Sequence, residues 1–191
     1  MQFKSLFLLF SAVSLFACSN SPKLKVQEGP AISHSMQKGF SLSFPNQNEW
    51  TVIKDNQYKI VMTKSGQAEK DRYMIQALVV KLPKFDNDED FMGFITNRMK
   101  QSQNQSDTKV SDEQIQFVEG KNNKCVQYKG KEQRSSKAVM LEVVSFTCRH
   151  PDRENAGVYL AYSKKYSQGN GDKNLGAKAE GLLNHMELVA F

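Results

Sequence analysis

The sequence predicts an α+β fold, an antiparallel β-sheet with helices packed on it in a single domain. Three observations predict it. Short stretches of alternating apolar and polar residues recur along the chain, the period-two signature of strands. Two stretches, Asp86 to Lys100 and Leu175 to Met186, change to helical spacing. The order of elements is strands, one helix, more strands and a last helix, which is the order of an α+β domain.

Taken in order, the chain begins with a short basic segment (Lys4) and an apolar run from Leu6 to Phe16, interrupted only by Ser11 and Ser14. This matches a secretory signal peptide and is too short for a spanning helix, which needs about 20 apolar residues. The run ends in Leu15-Phe16-Ala17-Cys18, which resembles the lipobox of bacterial lipoproteins. The resemblance implies a diacylglyceryl group on the Cys18 thiol, cleavage before it, and acylation (palmitate) of the new amino terminus. Two or more acyl chains hold a protein on a bilayer essentially permanently. Ser19 follows the cysteine, and by resemblance to enteric lipoprotein sorting this implies the outer membrane, with the domain in the periplasm or at the cell surface. Residues 1–17 are thus read as signal peptide, 18–38 as lipidated cysteine and tether, and 39–191 as the globular domain. The tether reading rests on Pro22, Gly29 and Pro30 among polar residues without periodicity.

Removing residues 1–17 from 191 leaves 174, one domain's worth, and removes only Lys4 from a formal net charge of +6. A modestly basic chain with interleaved acids permits contact with anionic surfaces and demands no nucleic acid. Of three cysteines, Cys18 goes to lipid. Cys125 and Cys148 remain as an even pair in an oxidising compartment, where a disulfide is the default.

Phe40 to Phe44 alternates cleanly and is stopped by Pro45, which makes it a strand. Asn46 to Asn48 is a turn, and Trp50 to Ile53 with Tyr58 to Thr63 forms a hairpin. Tyr73 to Leu82 is apolar on both faces, as expected of a central strand covered on both sides. In the first helix Phe91, Phe94, Ile95 and Met99 share a face, with acids at its start and Arg98 and Lys100 at its end. Gln101 to Asp107 is a polar linker. Strands follow at Gln114 to Glu119, Lys124 to Lys129, Ala138 to Cys148 and Val158 to Ser163, with Pro151 to Gly157 as a loop. After the break at Gln168 to Asp172 come the second helix and a terminal strand from Leu188 to Phe191.

The opening Gly39-Phe40-Ser41-Leu42-Ser43-Phe44-Pro45, followed by Trp50-Thr51-Val52, resembles the start of PsbP-like domains. So does the ending: a strand with Tyr162-Ser163, a loop, then a helix through Ala179, Leu182 and Leu183 to a last strand at Phe191. The resemblance covers Lys38 to Phe191 and implies an α-β-α sandwich. Proteins of this kind include photosystem assembly factors, small-GTPase binders and envelope lipoproteins such as the DcrB-like group. It carries over no catalytic residues.

Candidate chemistry is sparse. Cys125 and Cys148 lack Cys-x-x-Cys spacing, so a structural disulfide is expected rather than a redox site. Alternation places Cys125 with Gln127 and Lys129 on a polar face, but Cys148 with Phe146 and Val144. A bulge, or a bridge at a strand end, would reconcile the two. His34, His150 and His185 have no ligand spacing, and no metal or cofactor is expected. Asp86, Asp88, Glu89 and Asp90 lack the glycine and distal glutamate of a calcium loop. No nucleophile elbow or phosphate loop occurs, so the chain is read as a non-enzyme. Lys121, Lys124, Lys129, Lys131, Arg134 and Lys137 cluster on one hairpin region, with Lys164 and Lys165 nearby. They are candidates for contact with anionic headgroups or an acidic partner, although a solvated hairpin face is the plainer reading. The function expected is an envelope lipoprotein serving as a binding or accessory module for a protein partner. The alternative is a lipid or small-ligand carrier whose pocket between sheet and helices is lined by Trp50, Phe91, Phe94 and Tyr159. A hydrolase with a dispersed site is the third reading.

Overall fold

The computed structural model describes residues 32–45, 49–104, 108–120, 123–134, 139–167, 169 and 171–191. The signal peptide, Cys18, the tether as far as residue 31, the turn at 46–48, Lys121 and Lys137 lie outside the described residues, as does the side chain of Arg134. The strands are β1 (Ile32–Gln37), β2 (Phe40–Pro45), β3 (Thr51–Asn56), β4 (Lys59–Ser65), β5 (Arg72–Lys81), β6 (Thr108–Glu119), β7 (Lys124–Arg134), β8 (Val139–His150), β9 (Arg153–Ser167) and β10 (Met186–Leu188). The helices are α1 (Asp88–Asn104) and α2 (Leu175–Asn184). Every ladder is antiparallel. A seven-stranded sheet runs β3-β4-β5-β9-β8-β7-β6, and a three-stranded sheet runs β1-β2-β10.

Alternation along the large sheet feeds two cores. On one face Met62, Ile75, Phe146 and Leu160 pack against Phe40, Leu42 and Phe44 of the small sheet and against Ala179, Leu182 and Leu183 of α2. On the other, Val126 and Tyr128 meet Leu82 and the Phe91, Ile95 and Met99 stripe of α1. The result is an α-β-α sandwich with the small sheet beside α2. As expected, β5 is buried on both faces, with Ile75 and Ala77 in the first core and Val80 against the second. Asn87 caps α1, its Oδ1 accepting from the Asp90 backbone N–H at 2.8 Å. Asp88 in the first turn takes Lys124 at 2.7 Å and Arg149 at 2.6 Å, tying the helix to β7 and β8.

Several boundaries differ from expectation. Ile32–Gln37, read as tether, is a strand paired along its length with β2. Its buried positions are the polar Ser35 and Gln37, whose side chains bond to each other and, from Gln37, to Asp55 of β3. A strand that buries polar residues shows no apolar period, so the globular part begins by residue 32, not 39. α1 continues past Lys100 to Asn104, and no basic residue stands in its last turn. β6 starts at Thr108, and its two halves are joined across a bulge between Ser111 and Gln114 where Asp112 takes φ 55°. The polar stretch Arg153 to Asn155 is the exposed beginning of β9, so the expected loop at 151–157 shrinks to a turn at 151–152. α2 ends at Asn184, and Met186 turns into β10 opposite Leu42. Among the described residues no helix is long and apolar enough to cross a membrane.

Candidate functional site

One end of the large sheet brings the buried Asp71 and Lys164 together with the rings of Trp50, Tyr73 and Tyr162. The register sets Lys64 of β4, Tyr73 of β5, Lys164 of β9 and Glu142 of β8 side by side on the α2 face. Trp50, just before β3, meets the Tyr162 ring edge-on at 5.9 Å, and Tyr162 meets Tyr73 at 6.0 Å. Three ammonium groups converge on the Tyr73 ring: Lys64 at 5.5 Å, Lys164 at 5.4 Å and Lys178 at 5.2 Å from its centroid. Each is offset by a carboxylate, with Lys64 on Glu49 at 3.0 Å, Lys164 on Asp71 at 3.4 Å and Lys178 on Asp172 at 2.6 Å. The Tyr73 hydroxyl donates to Asp172 at 2.8 Å, which ties the loop before α2 to the sheet. The Asp172 N–H in turn donates to Glu142 at 3.3 Å.

The electrostatics keep the phenols of the cluster protonated. Burial pushes the Tyr73 phenol above its ordinary range, and the hydrogen bond to Asp172 pushes it further. Burial also raises Tyr162, with Asp172 and Glu49 adding to it. These phenols stay protonated near neutrality and serve as donors and ring faces, not bases. For Asp172, burial raises the carboxyl, but hydrogen bonds from Lys178, Tyr73 and the Asn174 backbone outweigh it and hold the group below 3.8. A depressed carboxyl contributes stability that is present above the unfolded value and lost as pH falls through the folded one. Stability should therefore drop in acid below about pH 3.8, and Asp172→Asn should flatten that part of the curve. Urea titrations between about pH 2 and 6 check this. An acid limb unchanged by the substitution would assign the drop to other carboxylates.

The residues singled out from sequence fare differently. Cys125 and Cys148 form a disulfide and sit directly opposite each other in the β7–β8 register. No bulge intervenes; the bridge lies near the strand ends, at the second residue of β7 and two residues before the end of β8, and the supposedly polar face is buried. Gln127 has 0% exposure, its Oε1 accepts from Gln116, and its Nε2 donates to Glu180 of α2. The lysine cluster is divided by strand alternation. Lys124 reaches Asp88 of α1 on one face, while Lys129 reaches Glu180 of α2 and Lys131 reaches Asp112. The described members therefore do not make one continuous basic face. Among the described residues no cluster of His, Cys, Asp and Glu is placed to hold a metal. Of the pocket aromatics, Phe94 and Tyr159 line a cavity of about 20 Å³ with Leu82, Ile95, Arg98 and Thr147. That holds about one water and no acyl chain. Phe91 is buried in the core beneath α1, and Trp50 lies on the opposite face of the sheet.

No local pattern assembles the Tyr73 cluster. Lys164 reads as a surface cation, Tyr73 as one apolar residue of a strand and Asp172 as the last residue of a break, while Asp71 falls between assigned elements. Tyr73 and Asp172 are 99 positions apart, so no local spacing signals their contact. The one available hint is a pair of isolated acids beside strand ends rich in tyrosine.

No protein-family model and no curated protein matches the sequence. Among solved structures the chain is similar to cyanobacterial PsbP (CyanoP) from Synechocystis sp. PCC 6803, with 10% identity and a TM-score of 0.56 over 92% of this chain and 99% of that one. It is also similar to the Ran-binding protein Mog1p of Saccharomyces cerevisiae, with 8% identity and a TM-score of 0.47 over 83% of this chain and 97% of that one. The likeness to CyanoP is one of fold, and the PsbP-like α+β sandwich expected from the Phe40 and Trp50 segments is the fold this chain has.

Proposed function

We propose that this protein is a lipid-anchored accessory module of the bacterial envelope, non-enzymatic, whose PsbP-like domain engages a protein partner from the outer membrane. The observation that carries the reading is Leu15-Phe16-Ala17-Cys18 closing an apolar run behind a basic start. The 0% exposed Cys125–Cys148 bridge supports an oxidising compartment. In cells given an alkyne-bearing palmitate, the wild-type chain should take up label and fractionate with membranes. Cys18→Ser should do neither, and label retained by that variant would count against the anchor. Cross-linking in intact envelopes followed by affinity capture tests the partner, and repeated recovery of no specific protein would remove that half of the proposal.

A further inference from the structure

We propose that the end of the sandwich carrying the Tyr73 cluster is the end the domain turns toward an anionic membrane surface. This rests on the lipid-anchor reading of Cys18.

Chain direction supplies the first argument. Ile32 at the start of β1 lies opposite Pro45, only four residues before Glu49. The Glu49 carboxylate pairs with Lys64, and Lys64 stands 5.0 Å from the centre of the Trp50 ring. The chain arriving from Cys18 therefore enters the domain beside this cluster. Of the two ends of the large sheet, this is the one beside which residue 32 stands.

Charge supplies the second. At this end the acids Asp71 and Asp172 are withdrawn, with side chains 1% and 10% exposed. Lys70, Arg72, Lys109, Lys173 and Lys178 are exposed at this end, against the exposed acids Glu49, Glu69, Asp112 and Glu113. The opposite end is built by the start of α1, the β3–β4 turn and the β8–β9 turn. There the exposed acids Asp55, Asp86, Glu89, Asp90, Glu119, Asp152, Glu154 and Glu187 outnumber the exposed bases Lys38, Lys54, Lys81, Lys84 and Arg153. Among the described exposed side chains the domain is thus polarised along its strands, slightly basic where residue 32 enters and acidic at the far end. An anionic surface attracts the first and repels the second, so both forces turn the domain the same way. They act within a Debye length, about 8 Å at physiological salt, which makes the orientation salt-sensitive. The β7–β8 hairpin turns at this same end, where Val139 stands opposite Ser167, and anionic lipid headgroups are the ligand class this end fits.

Trp50 is the one tryptophan of the chain and lies at this end, so it reports the orientation directly. The full lipidated protein is reconstituted on phosphatidylcholine vesicles with or without phosphatidylglycerol, each carrying a trace of dansyl-headgroup lipid. Energy transfer from Trp50 to dansyl should be higher on the anionic vesicles and fall to the neutral-vesicle level at high salt. Lys70→Glu/Lys173→Glu should abolish the gain; both side chains are exposed, and an unchanged near-ultraviolet spectrum checks the fold. If the double variant fails to fold, the salt arm decides alone. Flotation separates the two readings. A chain that does not float overturns the anchor and this orientation with it. One that floats, but transfers equally on both vesicles and at both salt levels, overturns the orientation alone.

Discussion

Replacing Lys164 by methionine is expected to cost about 3–5 kcal/mol, the largest loss foreseen for a single side chain in this protein. Lys164 and Asp71 have side chains only 6% and 1% exposed, 3.4 Å apart. Asp71 Oδ1 is buried without a hydrogen-bond partner, so the carboxylate depends heavily on that ammonium group. Methionine keeps the stem against the Tyr73 and Tyr166 rings, each 5.4 Å from the lysine nitrogen, and removes the charge. What remains is an uncompensated carboxylate in a dry site, the costly half of a broken buried pair. Adding Asp71→Asn to Lys164→Met should recover much of the loss, because the orphaned charge then disappears. Urea unfolding at neutral pH measures both. A loss below about 1 kcal/mol for the single variant would mean that the pair behaves as a solvated surface bridge.

Removing the Cys125–Cys148 bridge comes next in size. The cysteines are separated by 23 positions, and closing such a loop restricts the unfolded chain by about 3.5 kcal/mol in the chain-entropy account. At about 2–4 °C per kcal/mol for a domain of this size, Cys125→Ser should melt roughly 7–14 °C lower. Both cysteines have 0% exposure. The freed Cys148 should therefore react with a maleimide only as the chain opens, which makes labelling rate a second readout. Calorimetry of the variant beside reduced wild type should give similar melting temperatures. A variant that melts with the oxidised wild type would mean that the bridge contributes nothing.

Elements whose buried face is apolar were legible. The Phe40 to Phe44 alternation, the two-sided Tyr73 to Leu82 strand and the Phe91, Ile95 and Met99 stripe each announce their burial and all fall where expected. Elements whose buried face is polar were not. β1 hides Ser35 and Gln37, and β7 hides Gln127 at 0% exposure. Both look solvent-facing because their partners come from other elements: Asp55 accepts from the Gln37 amide, whose Oε1 stays without a partner, and Gln127 accepts from Gln116 and donates to Glu180. The described members of the lysine cluster divide for a related reason. Neighbours in sequence on a strand point to opposite faces, so Lys124 and Lys129 reach different helices.

By itself the sequence determined the fold class, the number and kind of elements from Phe40 onward, and the pairing of the two cysteines available for a bridge. It also carries the signal from which the anchor at Cys18 is proposed, because apolar periodicity, turn residues and short terminal motifs are local properties. Only the tertiary structure decided which polar residues are buried and which charges meet. Tyr73, Asp71, Lys164 and Asp172 come together through strand register and a helix docking across the sheet. Those are long-range contacts that bring distant side chains together without leaving a local pattern at any of them.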